Sequence, residues 1–194
     1  MTLERHPFPP FVPKDPQMLF LGTFPPQPKR WKMEFYYPNW NNDFWRVCGV
    51  IFYGDRDRFC DVDNKCFKLD DIVEFLTARH IAIYDTAMEV ERLKDNASDK
   101  YLDICRPIDL DSFLATYPTL SVLVSTGEKA ASVVASLTGT EIPTMGQKVS
   151  FEYAGRIIWH FRMPSTSRAY PLALEKKAEL YARVFQKNTQ NTPD

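Results

Sequence analysis

Residues 35–42 read Phe-Tyr-Tyr-Pro-Asn-Trp-Asn-Asn. Aromatic rings offer faces for stacking, and carboxamides both donate and accept hydrogen bonds. Flat ligands with polar edges, such as nucleobases, need both at once. Asp85 closes an apolar run, Ile81-Ala82-Ile83-Tyr84. An ionised carboxylate only accepts hydrogen bonds, so it favours a ring N–H, repels a bare carbonyl, or serves as a general base. Pro164-Ser165-Thr166-Ser167 sets three hydroxyls in a proline-stiffened loop. Lys29, Arg30 and Lys32 flank the aromatic stretch and form the best phosphate patch, unless they are only solvated.

Each of these has a plainer reading. Tyr37 can simply pack on Trp45. Asn42 can cap the helix that follows it. Asp85 can cap Thr86 or pair with an arginine, and Arg168 can pair with a surface carboxylate. The residue types alone leave these alternatives open.

The elements that must position these groups follow from periodicity. Residues 18–24 form an apolar run that ends at Gly22 and Pro25-Pro26, which is a strand stopped by a rigid turn. A helix over 43–52, with Asp43 as a plausible cap, puts Phe44, Val47, Cys48 and Ile51 on one face. Helix 69–79, strand 80–86, helix 110–117, strand 120–125 and helix 128–137 follow. Residues 149–153 and 156–161 form a hairpin, or only the second run joins the sheet. A last helix starts at Pro171 and buries Leu174, Ala178, Tyr181 and Val184 or Phe185.

Alternating strands and helices predict an α/β fold: a three-layer α/β/α sandwich around a central, mostly parallel four-stranded sheet. One domain is expected over 18–187, after an extended arm over 1–17 laid on the surface and before a frayed tail over 188–194. In such sheets ligands bind at the carboxyl ends of the strands. The loops over 22–42, 85–100, 125–129 and 163–170 therefore converge on one crevice. The polar segment 94–100 either folds over it or is a solvated loop.

Composition narrows the classes. The net charge is −1, so a nucleic-acid site must be a local patch. Prolines outnumber glycines 15 to 7, which makes for stiff loops rather than flexible linkers. Cys48, Cys60, Cys66 and Cys105 show no metal spacing and read as free thiols in a reducing compartment. The charged stretch 54–68 lacks the glycine and terminal glutamate of a calcium loop and reads as a solvated surface excursion. No signal peptide and no membrane-length apolar run appears. A cytosolic monomer that uses no metal or cofactor is the expectation.

The pieces Gly22-Thr23-Phe24-Pro25-Pro26, the run from Phe35 to Trp45 ending Asn42-Asp43-Phe44-Trp45, and Pro164-Ser165-Thr166-Ser167 resemble the uracil-DNA glycosylase superfamily. The likeness spans residues 18–187 and is nearest the mismatch-specific and hypoxanthine (deoxyinosine) branches. It implies a DNA glycosylase of base excision repair, hydrolysing the N-glycosidic bond of a flipped hypoxanthine or uracil. DNA is then the partner. The rivals are a non-catalytic nucleic-acid-binding relative, or a nucleoside or nucleotide hydrolase on the same fold.

Residue by residue, the resemblance implies that Gly22, Thr23 and Phe24 line the base pocket and that Tyr37 stacks on the flipped base. Phe24 falls where the mismatch-specific branch carries a water-orienting asparagine, so Asn42 becomes the candidate for water positioning or base contact. Asp85 takes the place of a base-reading asparagine. Ser165, Thr166 and Ser167 would grip phosphates, and Arg168 would contact phosphate or fill the gap left by the base, with Tyr170 as a similar wedge. Met163 stands where uracil-specific members carry a histidine.

Overall fold

A computed structural model describes residues 3–93 and 99–186 of the chain. The strands are β1 (Leu3–Arg5), β2 (Met18–Gly22), β3 (Cys60–Asp61), β4 (Cys66–Phe67), β5 (Ile81–Asp85), β6 (Ala87–Arg92), β7 (Leu102–Pro107), β8 (Val122–Thr126), β9 (Lys148–Tyr153) and β10 (Arg156–Met163). The helices are α1 (Phe44–Tyr53), α2 (Leu69–Ala78), α3 (Leu110–Thr116), α4 (Glu128–Thr138) and α5 (Leu174–Gln186).

The central sheet runs β5-β2-β8-β10-β9, with the first four strands parallel and β9 antiparallel on the edge. It has five strands where four were expected. The extra one comes from the hairpin alternative, closed at Ala154 and Gly155, which lie at φ 49° and 77°. Two left-handed residues in a row make the tight turn whose twist suits a hairpin.

Both faces of β2 are buried, and its residues alternate between two cores. Met18 and Phe20 pack with Phe44, Val47, Ile72, Phe75, Tyr181 and Val184 of α1, α2 and α5. Leu19 and Leu21 pack with Leu110, Phe113, Leu114 and Val134 of α3 and α4. A strand covered on both sides must be apolar throughout, which is why it reads as an unbroken run.

The stretch 54–68 is not wholly a solvated excursion. It folds as the β3–β4 hairpin, and Phe59, Cys60 and Phe67 are buried. Phe59 meets Phe75 at 5.0 Å between ring centroids, so three apolar side chains anchor a loop whose charges face outward.

Helix α5 begins at Leu174 rather than Pro171, and it buries Lys177 completely alongside the expected Ala178, Tyr181 and Val184. The N-terminal arm does more than lie on the surface. Its β1 pairs antiparallel with β6, and β6 pairs with β7, giving a second sheet. Phe11 exchanges backbone hydrogen bonds with Ile83 (3.0 and 2.9 Å), so the arm also covers the open edge of β5. The expectation for a fold-over segment falls mostly on 94–98 and that for a frayed tail on 188–194, both outside the described residues.

Candidate active site

Strand β2 stands in the middle of the sheet, with β5 on one side and β8 on the other. Connections leaving β2 and β8 go to opposite sides, and such a reversal opens a crevice at the carboxyl ends of the strands. A cleft of about 990 Å³ lies there, walled by Gly22, Asp85, Thr126 and Met163 at the ends of the four parallel strands. Thr23, Phe24, Tyr37, Asn42, Ser165, Thr166 and Ser167 line it as well.

Tyr37 sits at φ 52°, a left-handed conformation that costs a side-chain-bearing residue on the order of 1 kcal/mol. Two contacts hold it. Its ring stacks on Phe44 at 3.9 Å with planes 14° apart, and its hydroxyl shares a 3.0 Å hydrogen bond with Thr126 Oγ1. Phe44 covers one ring face, Trp45 meets the ring edge-on at 6.2 Å, and Tyr37 lines the cleft. Burial and the nearby Asp85 charge push the phenol well above its ordinary pKa, so Tyr37 is a neutral stacking surface.

Asn42 Oδ1 accepts from the Phe44 N–H at 2.9 Å, the start of α1. The carboxamide therefore caps the helix, a role Asp43 does not play through its side chain. With its oxygen so used, Asn42 keeps its Nδ2 donors, and the residue lines the cleft. Asp43 instead joins a buried ion cluster. Its Oδ1 accepts from Arg168 Nε at 2.9 Å, and its Oδ2 lies 3.2 Å from Lys177 Nζ. Lys177 also donates to the Ser167 carbonyl at 3.0 Å.

That cluster joins the two motif loops. Asp43 N donates to Thr166 O (2.8 Å), and Arg168 N donates to Asn41 O (3.1 Å). Within the serine loop, Ser165 Oγ accepts from Ser167 N and Ser167 Oγ from Ala169 N. A hydroxyl that accepts from its own loop keeps its O–H for an outside acceptor. Arg168, by contrast, is drawn to Asp43 and does not line the cleft, whereas Tyr170 does.

Asp85 faces its register partner Gly22 across the β2–β5 ladder. Its Oδ1 lies 2.3 Å from where a Cβ on Gly22 would stand, and the Tyr37 hydroxyl lies 3.5 Å from the same point. Only a glycine lets the carboxylate and the phenol approach β2 this closely. Asp85 Oδ2 is 2.9 Å from His6 Nε2, and both side chains are almost fully buried. Because an ionised carboxylate only accepts, Nε2 donates.

His6 does not line the cleft, but it is a partner of Asp85 that sequence reasoning missed. It comes from the arm, 79 positions before Asp85, and also packs edge-on to Phe24 at 5.5 Å. The proline-stiffened run His6-Pro7-Phe8-Pro9-Pro10 is the one legible signal, and it says nothing about where the imidazole ends up.

Asp99 and Lys129 were missed too. Both line the cleft, as do Arg92 and Lys100. Arg92 is clamped by Glu4, at 2.9 Å from Nε and 3.0 Å from Nη2, and Lys129 Nζ donates to Leu102 O. Lys29 lines an adjoining groove of about 590 Å³ with Arg5 and Trp31, separated from the cleft by Phe24, Pro25 and Pro26, which border both. Arg30 and Lys32 line neither.

Among the described residues, no group of three or more His, Cys, Asp or Glu side chains is placed to hold a metal ion. No helix among them is long and apolar enough to cross a membrane.

No protein-family model and no curated protein matches the sequence. Among solved structures, the chain is similar to the solution NMR structure of a "putative Uracil DNA glycosylase" from Methanosarcina acetivorans. The TM-score is 0.61 at 20% identity, over 95% of this chain and 99% of that one. The two chains share one fold. That likeness covers the sheet and helices that build the cleft and leaves the chemistry to the residues inside it.

Proposed function

We propose that this protein is a DNA glycosylase that flips a deaminated or mismatched base into the cleft and hydrolyses its N-glycosidic bond. The observation that carries the reading is the Tyr37 ring, backed by Phe44 and lining a cleft that Asn42 and Asp85 line as well. Stacking on such a ring is worth roughly 1–3 kcal/mol per base. The fold neighbour and the motif resemblance favour the same class of substrate.

In this reading the base lies on Tyr37, and hydroxyls of Ser165 and Ser167 donate to the neighbouring phosphates. Water attacks the sugar carbon as the base departs through a cation-like sugar. The carboxylates of Asp85 and Asp99 favour that positive charge. The scheme asks for no metal or cofactor. A non-catalytic nucleic-acid-binding protein is the second reading, favoured by Phe24 in the water-orienting position and by the cap that occupies Asn42 Oδ1. Cleavage assays on single- and double-stranded oligonucleotides carrying hypoxanthine, uracil, xanthine or mispaired thymine separate the two, with free nucleosides as the control. Binding without cleavage would leave only the second.

Specificity follows from Asp85. Hypoxanthine presents N1–H beside O6, so Asp85 Oδ1 can accept from N1–H while Asn42 Nδ2 donates to O6. Uracil sets its N3–H between two carbonyls, and the second carbonyl meets the anion. Hypoxanthine should be preferred, and Asp85→Asn should move the ratio toward uracil by about ten- to a hundredfold, the worth of one charged hydrogen bond in a dry pocket. Equal loss on both substrates would mean that Asp85 activates water. An unmoved ratio with both activities intact would make it structural.

Phosphate contacts are assigned to Lys29, Arg30 and Lys32, with Arg168 held back by its bond to Asp43. Neutralising the three together should flatten the plot of log affinity against log salt by about 2–3 units, weakening all sequences alike. An unchanged slope removes the patch from the DNA path.

A further inference from the structure

The cleft holds a second carboxylate in a setting unlike that of the first. Asp85 has His6 against one oxygen at 2.9 Å. Asp99 lines the same cleft from the 3₁₀ turn Asp99–Tyr101 that leads into β7. Its carboxylate accepts a hydrogen bond from the Thr23 side chain, one residue before Phe24. The phenyl ring at 24 cannot hold water, and Thr23 brings a carboxylate to the adjoining position.

We propose that Asp99 is the catalytic base of this site: its carboxylate, held by Thr23 in the cleft beside Asp85, takes a proton from the water that attacks the sugar. The assignment rests on the glycosylase reading above. The water oxygen bonds to the anomeric carbon as the carbon–nitrogen bond breaks, and that electron pair leaves with the base. One water proton passes to Asp99 and on to solvent, and the departing base takes one from solvent.

The surroundings suit a base rather than a permanent anion. Burial is the largest influence on Asp99 and raises its pKa above the ordinary carboxylate value, and the charge of Asp85 raises it further. The Thr23 bond, Lys129 of α4 and Arg92 of β6 act the other way without reversing it. The Asp99 charge also acts on the Tyr37 phenol, in the loop before α1. Lys100 follows it in the same turn. A base works best when its pKa lies toward the operating pH.

The test is single-turnover cleavage of a hypoxanthine-containing oligonucleotide across the acid and neutral range, with binding read by fluorescence anisotropy. Below its raised pKa Asp99 is protonated and cannot accept, so the wild-type rate should fall as pH falls through that value. Asp99→Asn should slow cleavage by about a hundredfold or more, leave affinity intact and lose the acid limb. Added formate should restore part of the rate to Asp99→Gly. A rate for Asp99→Asn within about threefold of wild type, a loss of affinity matching the loss of rate, or an acid limb that persists would each overturn the assignment. Those results leave the glycosylase reading standing. A wild-type protein that cleaves nothing removes that reading and the base with it.

Discussion

Lys177→Met should cost about 3 kcal/mol of stability and lower the thermal midpoint by about 6–12 °C. Lys177 is wholly buried on α5, and its ammonium is held by Asp43 Oδ2 and the Ser167 carbonyl. Removing one member of a buried pair leaves the other charge without its partner in a medium that solvates it poorly. Here the stranded group is Asp43, which keeps Arg168, so the loss should sit at the lower end of what such deletions cost. Methionine fills most of the lysine's volume, which keeps cavity formation out of the comparison.

The double variant Asp43→Asn with Lys177→Met should recover part of the loss, because no buried carboxylate then remains short of one of its two cations. A midpoint within about 2 °C of wild type for Lys177→Met would mean the cluster contributes little to holding the loops together. The same change should loosen the pairing of Asn42 with Ser167, since their backbone bridge lies beside the cluster. Activity should fall with stability, and by a similar factor on every substrate.

Gly22→Ala should nearly abolish cleavage, by about a hundredfold or more, the equivalent of about 2.7 kcal/mol of barrier. The new methyl carbon would stand 2.3 Å from Asp85 Oδ1, far inside contact distance. The two backbones are paired in the ladder, so the strands cannot part. The carboxylate must swing instead, and that breaks its bond to His6. Stability should fall by only about 1–3 kcal/mol, the usual cost of one extra methyl group in a packed place. Adding Asp85→Gly should relieve the clash and restore the thermal midpoint without restoring the rate. If Gly22→Ala cleaves as fast as wild type, the Asp85 carboxylate takes no part in the chemistry.

What the sequence determined by itself is what local pattern can encode. The unbroken apolar run of β2, with Met18 and Phe20 on one core and Leu19 and Leu21 on the other, announces a doubly covered strand before any contact is known. The 3.6-residue spacing of Phe44, Val47 and Cys48 does the same for α1. The position of Tyr37, Asn42, Asp85 and Ser165 along one cleft follows from the rule that ligands meet parallel strands at their carboxyl ends.

Tertiary structure decided whatever depends on residues far apart in the chain. His6 reaches Asp85 because the arm is drawn along the edge of β5 by backbone bonds that any sequence can make. Lys177 reads as a solvated residue of a helix, and it is buried because Asp43 lies opposite. Asp99 looks like one more charge in a polar segment until the β6–β7 pairing turns it toward Thr23. Periodicity records which face of an element is apolar. Which polar side chain meets which is set by the path of the backbone between elements, and no local spacing carries that.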